Sequence, residues 1–162
     1  MNQTKILFVC HGNICRSPMA EFLFKKMLED NNLLDKYIID SAATSTEEIG
    51  NGVHCGTRKI LDKFNIDYSH KTARQIRLND YDYYDYIIGM DSNNMYNIRR
   101  FFNNDKDNKI YKLLDFSINP RDISDPWYTN DFDTCYNDIN EGLIGLLNYL
   151  EKWYNFYMRG KY

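Results

Sequence analysis

The feature that most constrains this chain is a cysteine and an arginine enclosing a short loop directly after an apolar run, in Val9-Cys10-His11-Gly12-Asn13-Ile14-Cys15-Arg16-Ser17-Pro18. Lys5 to Val9 (Lys-Ile-Leu-Phe-Val) reads as a buried parallel strand, and Ser17-Pro18 reads as an N-cap followed by proline at the first helical position. The segment between them therefore joins a strand to a helix. In that geometry the backbone N–H groups of the loop and of the helix's first turn converge on one point, forming a concave nest of positive potential that suits an anion.

A sulfur at the start of such a loop faces those N–H dipoles and the Arg16 cation, and both favour thiolate over thiol. The loop can hold a tetrahedral phosphate while the planar guanidinium of Arg16 clamps two of its oxygens and Cys10 sits below phosphorus for in-line attack. Gly12 and Asn13 are expected to take the positive-φ or tight conformations the nest requires, with Asn13 also bonding within the loop. A free cysteine is more commonly a small buried hydrophobe, and Ser17 could serve only as a cap. Arg16 in the same loop favours the chemical reading of Cys10, with the Ser17 hydroxyl donating to the thiolate and Asp91 orienting the back edge of Arg16.

The full pattern Cys-x-Gly-Asn-x-Cys-Arg-Ser-Pro resembles the low-molecular-weight protein tyrosine phosphatase family. The resemblance continues through Asp40-Ser41-Ala42-Ala43-Thr44-Ser45, Ala73-Arg74-Gln75, Asp85-Tyr86-Ile87-Ile88-Gly89-Met90-Asp91 and Asp125-Pro126-Trp127-Tyr128, nearly the whole chain. It implies hydrolysis of phosphotyrosine proteins or peptides, and of small aryl phosphates, through a cysteinyl-phosphate intermediate without cofactor or metal. Asp125 would protonate the leaving oxygen and then activate water. Phosphate, sulfate and vanadate would occupy the loop. Trp127 and Tyr128 would flank the substrate ring, with His11, Ile14, Glu47 and Glu48 as further walls and Cys15 within the loop. Behind it, Glu21, Ser41 and His70 are expected as supports, a carboxylate keeping the imidazole charged. His70 stands five positions before Gln75 where the family has four, and Trp127 replaces the first tyrosine of the family's pair.

Two related chemistries fit less well. An arsenate reductase on this scaffold needs closely paired further cysteines, whereas Cys55 and Cys135 are far apart; a phosphoarginine phosphatase favours threonine where Ile14 stands. A catalytically dead phosphate-binding module would lack Cys10, Arg16 or Asp125, and all three are present. Peroxide is expected to oxidise Cys10 first, with a reversible Cys10–Cys15 disulfide protecting it.

The remaining chain alternates strands and helices. An amphipathic helix carries Ala20, Leu23, Phe24, Met27 and Leu28 and ends near Asn31-Asn32. Strands are expected at Tyr37 to Ala43, Tyr83 to Met90 and Ile110 to Leu114, and helices at Gly56 to Phe64, Asp91-Ser92 to Phe102 and Thr134 to Phe156. The last helix presents Ile139, Leu143, Leu146, Leu147, Leu150 and Trp153 on one face, and Gly142 and Gly145 are expected to let it approach the sheet. A long loop, Asn119 to Asp133, holds Pro120 and Pro126. This alternation predicts one α/β domain over residues 1–162, with a four-stranded parallel sheet between helices on both faces. The family resemblance suggests strand order 2-1-3-4, and the crevice is expected at the strands' carboxyl ends.

With 20 Lys and Arg against 23 Asp and Glu, the net charge of −3 and the lack of a basic run argue against a nucleic-acid partner. Four unpaired cysteines and the absence of a leader-like segment or membrane-length apolar run point to a reducing, cytoplasmic setting.

Overall fold

The structure, a computed structural model, describes residues 2–159, with side chains described through residue 152. Strand β1 (Thr4–Cys10) pairs in parallel with β2 (Tyr37–Ala43) and with β3 (Tyr86–Gly89), and β4 (Ile110–Lys112) adds to β3, giving the order β2-β1-β3-β4. The helices are α1 (Arg16–Asp30), α2 (Cys55–Asp62), α3 (Asp80–Tyr83), α4 (Ser92–Phe102), α5 (Pro126–Thr129) and α6 (Phe132–Arg159).

Strand β1 is covered on both faces, and this explains its unbroken apolar run: Ile6, Leu7, Phe8 and Val9 are all fully buried. Alternation along the strand divides them. Ile6 and Phe8 pack with Phe24 and Leu28 of α1, Leu61 of α2 and Ile139 and Leu143 of α6. Leu7 and Val9 pack on the other side with Met95 and Ile98 of α4 and with Tyr81 and Tyr84. The result is a three-layer domain.

Strand register places the site. Cys10 pairs with Ala43 and Val9 with Gly89, so the carboxyl ends of three strands form one edge. Pairing persists past the strands, with Thr44 N–H donating to Cys10 O at 2.9 Å and Ser45 N–H to His11 O at 3.1 Å. The chain segments leaving β1 and β2 are therefore held side by side.

Several boundaries differ from the sequence expectation. Helix α1 starts at Arg16 with Cys15 as N-cap, which puts Pro18 in its third position rather than its first. The first-turn N–H groups have no intrahelical acceptor, so proline is tolerated at any of these positions. Strand β3 begins at Tyr86, because Asp80 accepts from Arg77 N–H at 2.8 Å and closes the helical turn α3 ahead of it. Strand β4 stops at Lys112 and continues as a 3-10 turn, Leu113–Phe116. Helix α2 starts at Cys55 and α6 at Phe132, and α5 interrupts the long loop. Trp153, expected on the apolar face of α6, lies outside the residues whose side chains are described.

Gly142 and Gly145 permit a close approach, but to that 3-10 turn rather than to the sheet. A Cβ at Gly142 would lie 2.5 Å from the Leu113 side chain, and one at Gly145 would lie 2.1 Å from the Phe116 carbonyl oxygen. At Gly142 the obstacle is a side chain, which repacking can shift, whereas at Gly145 it is the Phe116 backbone, which cannot give. Gly145→Ala should therefore cost about 3 kcal/mol in overpacking, offset by about 1 kcal/mol of helix propensity. At roughly 2–4 °C per kcal/mol for a domain of this size, its melting temperature should fall by about 4–8 °C, which calorimetry would measure. Gly142→Ala should lose less.

Candidate active site

Cys10 ends β1 with 3% of its surface exposed, and the loop after it turns through Asn13, whose φ of 58° is left-handed. Asparagine tolerates that region because its short polar side chain bonds locally. Its amide donates to Ser17 Oγ at 2.7 Å and Ser41 Oγ at 2.9 Å, and its oxygen accepts from Arg74 N–H at 3.2 Å. Gly12 does not have positive φ. Its lack of a side chain instead admits Glu48, whose Cγ would lie 3.2 Å from a Cβ there. Outside the loop, Ile14 O accepts from His54 N–H at 2.9 Å and Cys15 O from Thr57 Oγ1 at 3.0 Å. The start of α2 thus pins the loop from behind. Among the described residues, the backbone N–H groups of Gly12 through Cys15 donate to no protein acceptor, so they are available to an anion.

Ser17 does not cap α1. Its Oγ lies 3.1 Å from Cys10 Sγ, and its backbone N–H donates to the same sulfur at 3.4 Å. Oγ accepts from Asn13 and donates a long bond to Ala42 O at 3.4 Å, so a thiolate at Cys10 would compete with that carbonyl for its proton. The cysteines behind the site are different in character. Burial pushes the Cys15 thiol well above its ordinary range, with the negative charges of Cys10 and Asp125 adding to the effect. Burial likewise pushes Cys135 up to about 12.

Arg16 is 2% exposed and begins α1. Nη1 donates to Asp91 Oδ2 at 2.6 Å and Ile123 O at 2.8 Å, while Nη2 lies 3.2 Å from Asp125 Oδ2. Burial alone would weaken its hold on the proton. The charges of Cys10, Asp91 and Asp125 outweigh this and raise it above its ordinary value. Asp91 is also the N-cap of α4, accepting from Asn94 N–H at 2.7 Å. Asp125 caps α5 by accepting from Trp127 N–H at 3.1 Å.

Behind the loop, Ser41 Oγ donates to Glu21 Oε1 at 2.6 Å. Glu21 is 4% exposed, and its charge is met by Lys25 at 2.7 Å and Lys71 at 3.4 Å. Lys71 Nζ also donates to Ser41 O at 3.0 Å, and burial draws its pKa below the ordinary lysine value. His70 is not part of this network. It is exposed and packs edge-on against Phe22 with ring centroids 5.8 Å apart. Lys71 stands four residues before Gln75, so a one-residue displacement turns the imidazole outward and brings an ammonium inward.

Cys10, Arg16 and Asp125 line one cavity of about 90 Å³, with His11, Ile14, Glu47, Glu48, Trp127 and Tyr128 around it. His11 Nε2 lies 3.0 Å from Glu47 Oε2, and Trp127 and Tyr128 are 57% and 82% exposed. His54, which sequence reasoning leaves without a role, supports this wall. It caps α2 by accepting from Gly56 N–H at 3.0 Å, stacks on Phe132 at 5.1 Å and meets Trp127 edge-on at 5.8 Å. Nothing near His54 in sequence signals those contacts.

The contrast between His70 and Lys71 is testable. Lys71→Met removes one of the cations on a buried carboxylate while Lys25 remains, so the loss should be about 1–2 kcal/mol rather than the ~3–5 of a fully broken buried pair. Its melting temperature should fall by about 2–8 °C, while His70→Ala should change it by less than 2 °C. Equal effects would place His70 in the support.

Comparisons with known proteins agree on the architecture. A sequence model of the family "Low molecular weight phosphotyrosine protein phosphatase" matches residues 5–155. The low molecular weight protein-tyrosine-phosphatase PtpA of Staphylococcus aureus is 38% identical over 148 residues, spanning 91% of this chain and 94% of that protein. The crystal structure of YfkJ from Bacillus subtilis superposes with a TM-score of 0.90 at 37% identity, covering 94% of this chain and 97% of that one. SP-PTP, a low molecular weight protein tyrosine phosphatase from Streptococcus pyogenes, gives 0.81 at 42% identity, with coverages of 91% and 93%. With the anion loop, the three-layer fold and these matches over nearly its full length, the chain belongs to the low molecular weight phosphotyrosine protein phosphatase family.

Proposed function

We propose that this protein hydrolyses phosphotyrosine in proteins or peptides, together with small aryl phosphates, in two displacement steps at Cys10. The observation that carries the reading is the convergence of a cysteine sulfur, a buried guanidinium and a carboxyl group on one small cavity lined by free N–H groups. In the first step Sγ attacks phosphorus, the S–P bond forms, and the ester oxygen leaves with the proton of Asp125. In the second, Asp125 takes a proton from water as its oxygen attacks phosphorus, and the S–P bond breaks to return the thiolate and inorganic phosphate. Arg16 and the loop N–H groups stabilise the equatorial oxygens in both transition states. The Ser17 hydroxyl, oriented by Asn13, stabilises the departing sulfur.

The ion pair between Arg16 and Asp125 has a consequence for this cycle. Nη2 contacts Asp125 at 3.2 Å. A bound phosphate competes for that same edge, leaving Asp125 free to turn toward the ester oxygen. The edge bonded to Asp91 and Ile123 stays in place.

The walls favour an aryl ester. Trp127 and Tyr128 rise above the cavity, and a phosphoserine is too short to place its phosphorus at the sulfur while its backbone clears them. Ile14 gives an apolar surface where phosphoarginine would present a charged group. The oxyanions phosphate, sulfate and vanadate are ligands of the same loop. Reversible inactivation belongs to the same proposal: peroxide meets Cys10 first, and Cys15, which lines the same cavity, closes the disulfide with loss of water. The cytoplasm is the setting in which its thiols stay reduced. Among the described residues, no helix is long and apolar enough to cross a membrane.

Hydrolysis of para-nitrophenyl phosphate in EDTA tests the reading directly. Cys10→Ser should abolish turnover while vanadate or phosphate still binds, because the nest is made of backbone N–H groups; activity within tenfold of wild type would rule out the covalent route. Asp125→Asn should slow a basic leaving group such as phosphotyrosine by about 10²–10⁴-fold and an activated aryl phosphate much less. Equal losses on the two substrates would show that the proton comes from elsewhere.

A further inference from the structure

Beside the catalytic cavity, the outer face of α4 borders two open grooves. One, of about 330 Å³, is bounded by His11, Thr44 and Ser45 on the strand-end side and by Asn97, Arg100 and Phe101 on α4. The other, of about 640 Å³, runs past Tyr96 and Arg99 toward Lys112 and shares Arg100 with the first. His11 also lines the catalytic cavity, so it forms a common wall between that cavity and the smaller groove. A chain leaving the catalytic cavity on the His11 side passes over this groove.

The charge of this surface runs against that of the chain, whose net charge is −3. Arg16, Arg74 and Arg121 each hold a carboxylate, and Lys112 is paired with Asp122 at 2.9 Å. Arg99 and Arg100 are exposed, and among the described residues neither side chain has a hydrogen-bond or ion-pair partner. Two adjacent free guanidinium groups on an acidic protein, next to a groove that opens off the site, form a local cationic surface. A planar guanidinium recognises a carboxylate with two parallel hydrogen bonds.

We propose that the groove between His11 and Arg100 is a substrate subsite for an acidic side chain, Asp or Glu, lying about two to four residues from the phosphotyrosine. An extended chain advances about 3.3 Å per residue, so that spacing sets the acidic side chain roughly 7–13 Å along the chain from the phosphotyrosine, on the side where His11 separates the cavity from the groove. Arg100 holds the carboxylate, and Arg99 adds to the local potential. The proposal rests on the phosphotyrosine reading and extends it to the sequence around the phosphorylated residue.

The test uses alanine-based phosphotyrosine peptides with a single Glu at each position from two to four residues on either side, compared with the all-alanine peptide. Glu on one side should raise kcat/KM by about two- to fivefold, the size reached by exposed ion pairs, and the gain should shrink in high salt. It should vanish in Arg100→Ala and reverse in Arg100→Glu, while turnover of para-nitrophenyl phosphate stays unchanged in both variants. No gain at any position, or a gain that survives in Arg100→Glu, overturns the subsite. Full turnover of the all-alanine peptide without a Glu effect removes the subsite alone. Failure to hydrolyse any phosphotyrosine peptide, with aryl phosphate still turned over, overturns the phosphotyrosine reading on which the subsite rests.

Discussion

The buried guanidinium of Arg16 is the interaction on which the site depends. It opens α1, so its position is fixed by the helix. Its two nitrogens reach separate parts of the chain: Nη1 bonds Asp91 at the head of α4 and the carbonyl of Ile123, and Nη2 meets the carboxylate of Asp125 in the long loop. One side chain thus joins the anion loop to the segments after β3 and β4. A buried cation is tolerated only where its donors are satisfied, and breaking such a pair typically costs about 3–5 kcal/mol. The requirement works in both directions. The loop needs the cation to face an anion, and the cation needs Asp91 and Ile123 to remain buried.

A second layer fixes the backbone that surrounds the anion. Asn13 alone holds the left-handed turn, and its three side-chain bonds lead to Ser17, Ser41 and Arg74. Ser41 passes the constraint to Glu21, which is charge-balanced by two lysines. Among the described residues no buried side-chain nitrogen or oxygen lacks a partner, as a buried network requires if it is to order the loop rather than loosen it. The loop is held by the side chains of Asn13, Ser41 and Glu21, which do not line the cavity.

Much of this was legible in the sequence because the physics is local. The apolar run before Cys10 had to be a strand covered on both faces, and the alternation of strands with helices required a parallel sheet. Legibility ended where competing positions satisfy the same local rule. Ser17 and Pro18 suit several first-turn positions equally, so the sequence left Ser17 both a cap and a partner of the sulfur, and the fold removes only the cap. His54 gains its place from Phe132 and Trp127, which are distant along the chain. Gly142 and Gly145 announced a close approach, but its expected partner, the sheet, proved to be a 3-10 turn absent from any periodicity. His70 and Lys71 differ by one position, a distinction decided by which side chain the turn directs inward.

The lysine has a further consequence. Had an imidazole stood against Glu21, the support beneath the loop would have gained and lost its charge within the range where cells acidify and recover. An ordinary lysine binds its proton about four units more tightly than a histidine. Burial narrows that margin by drawing Lys71 downward, while Glu21 pulls it back. The support behind the loop therefore rests on a cation whose ordinary proton affinity lies well away from the range in which a histidine exchanges its charge.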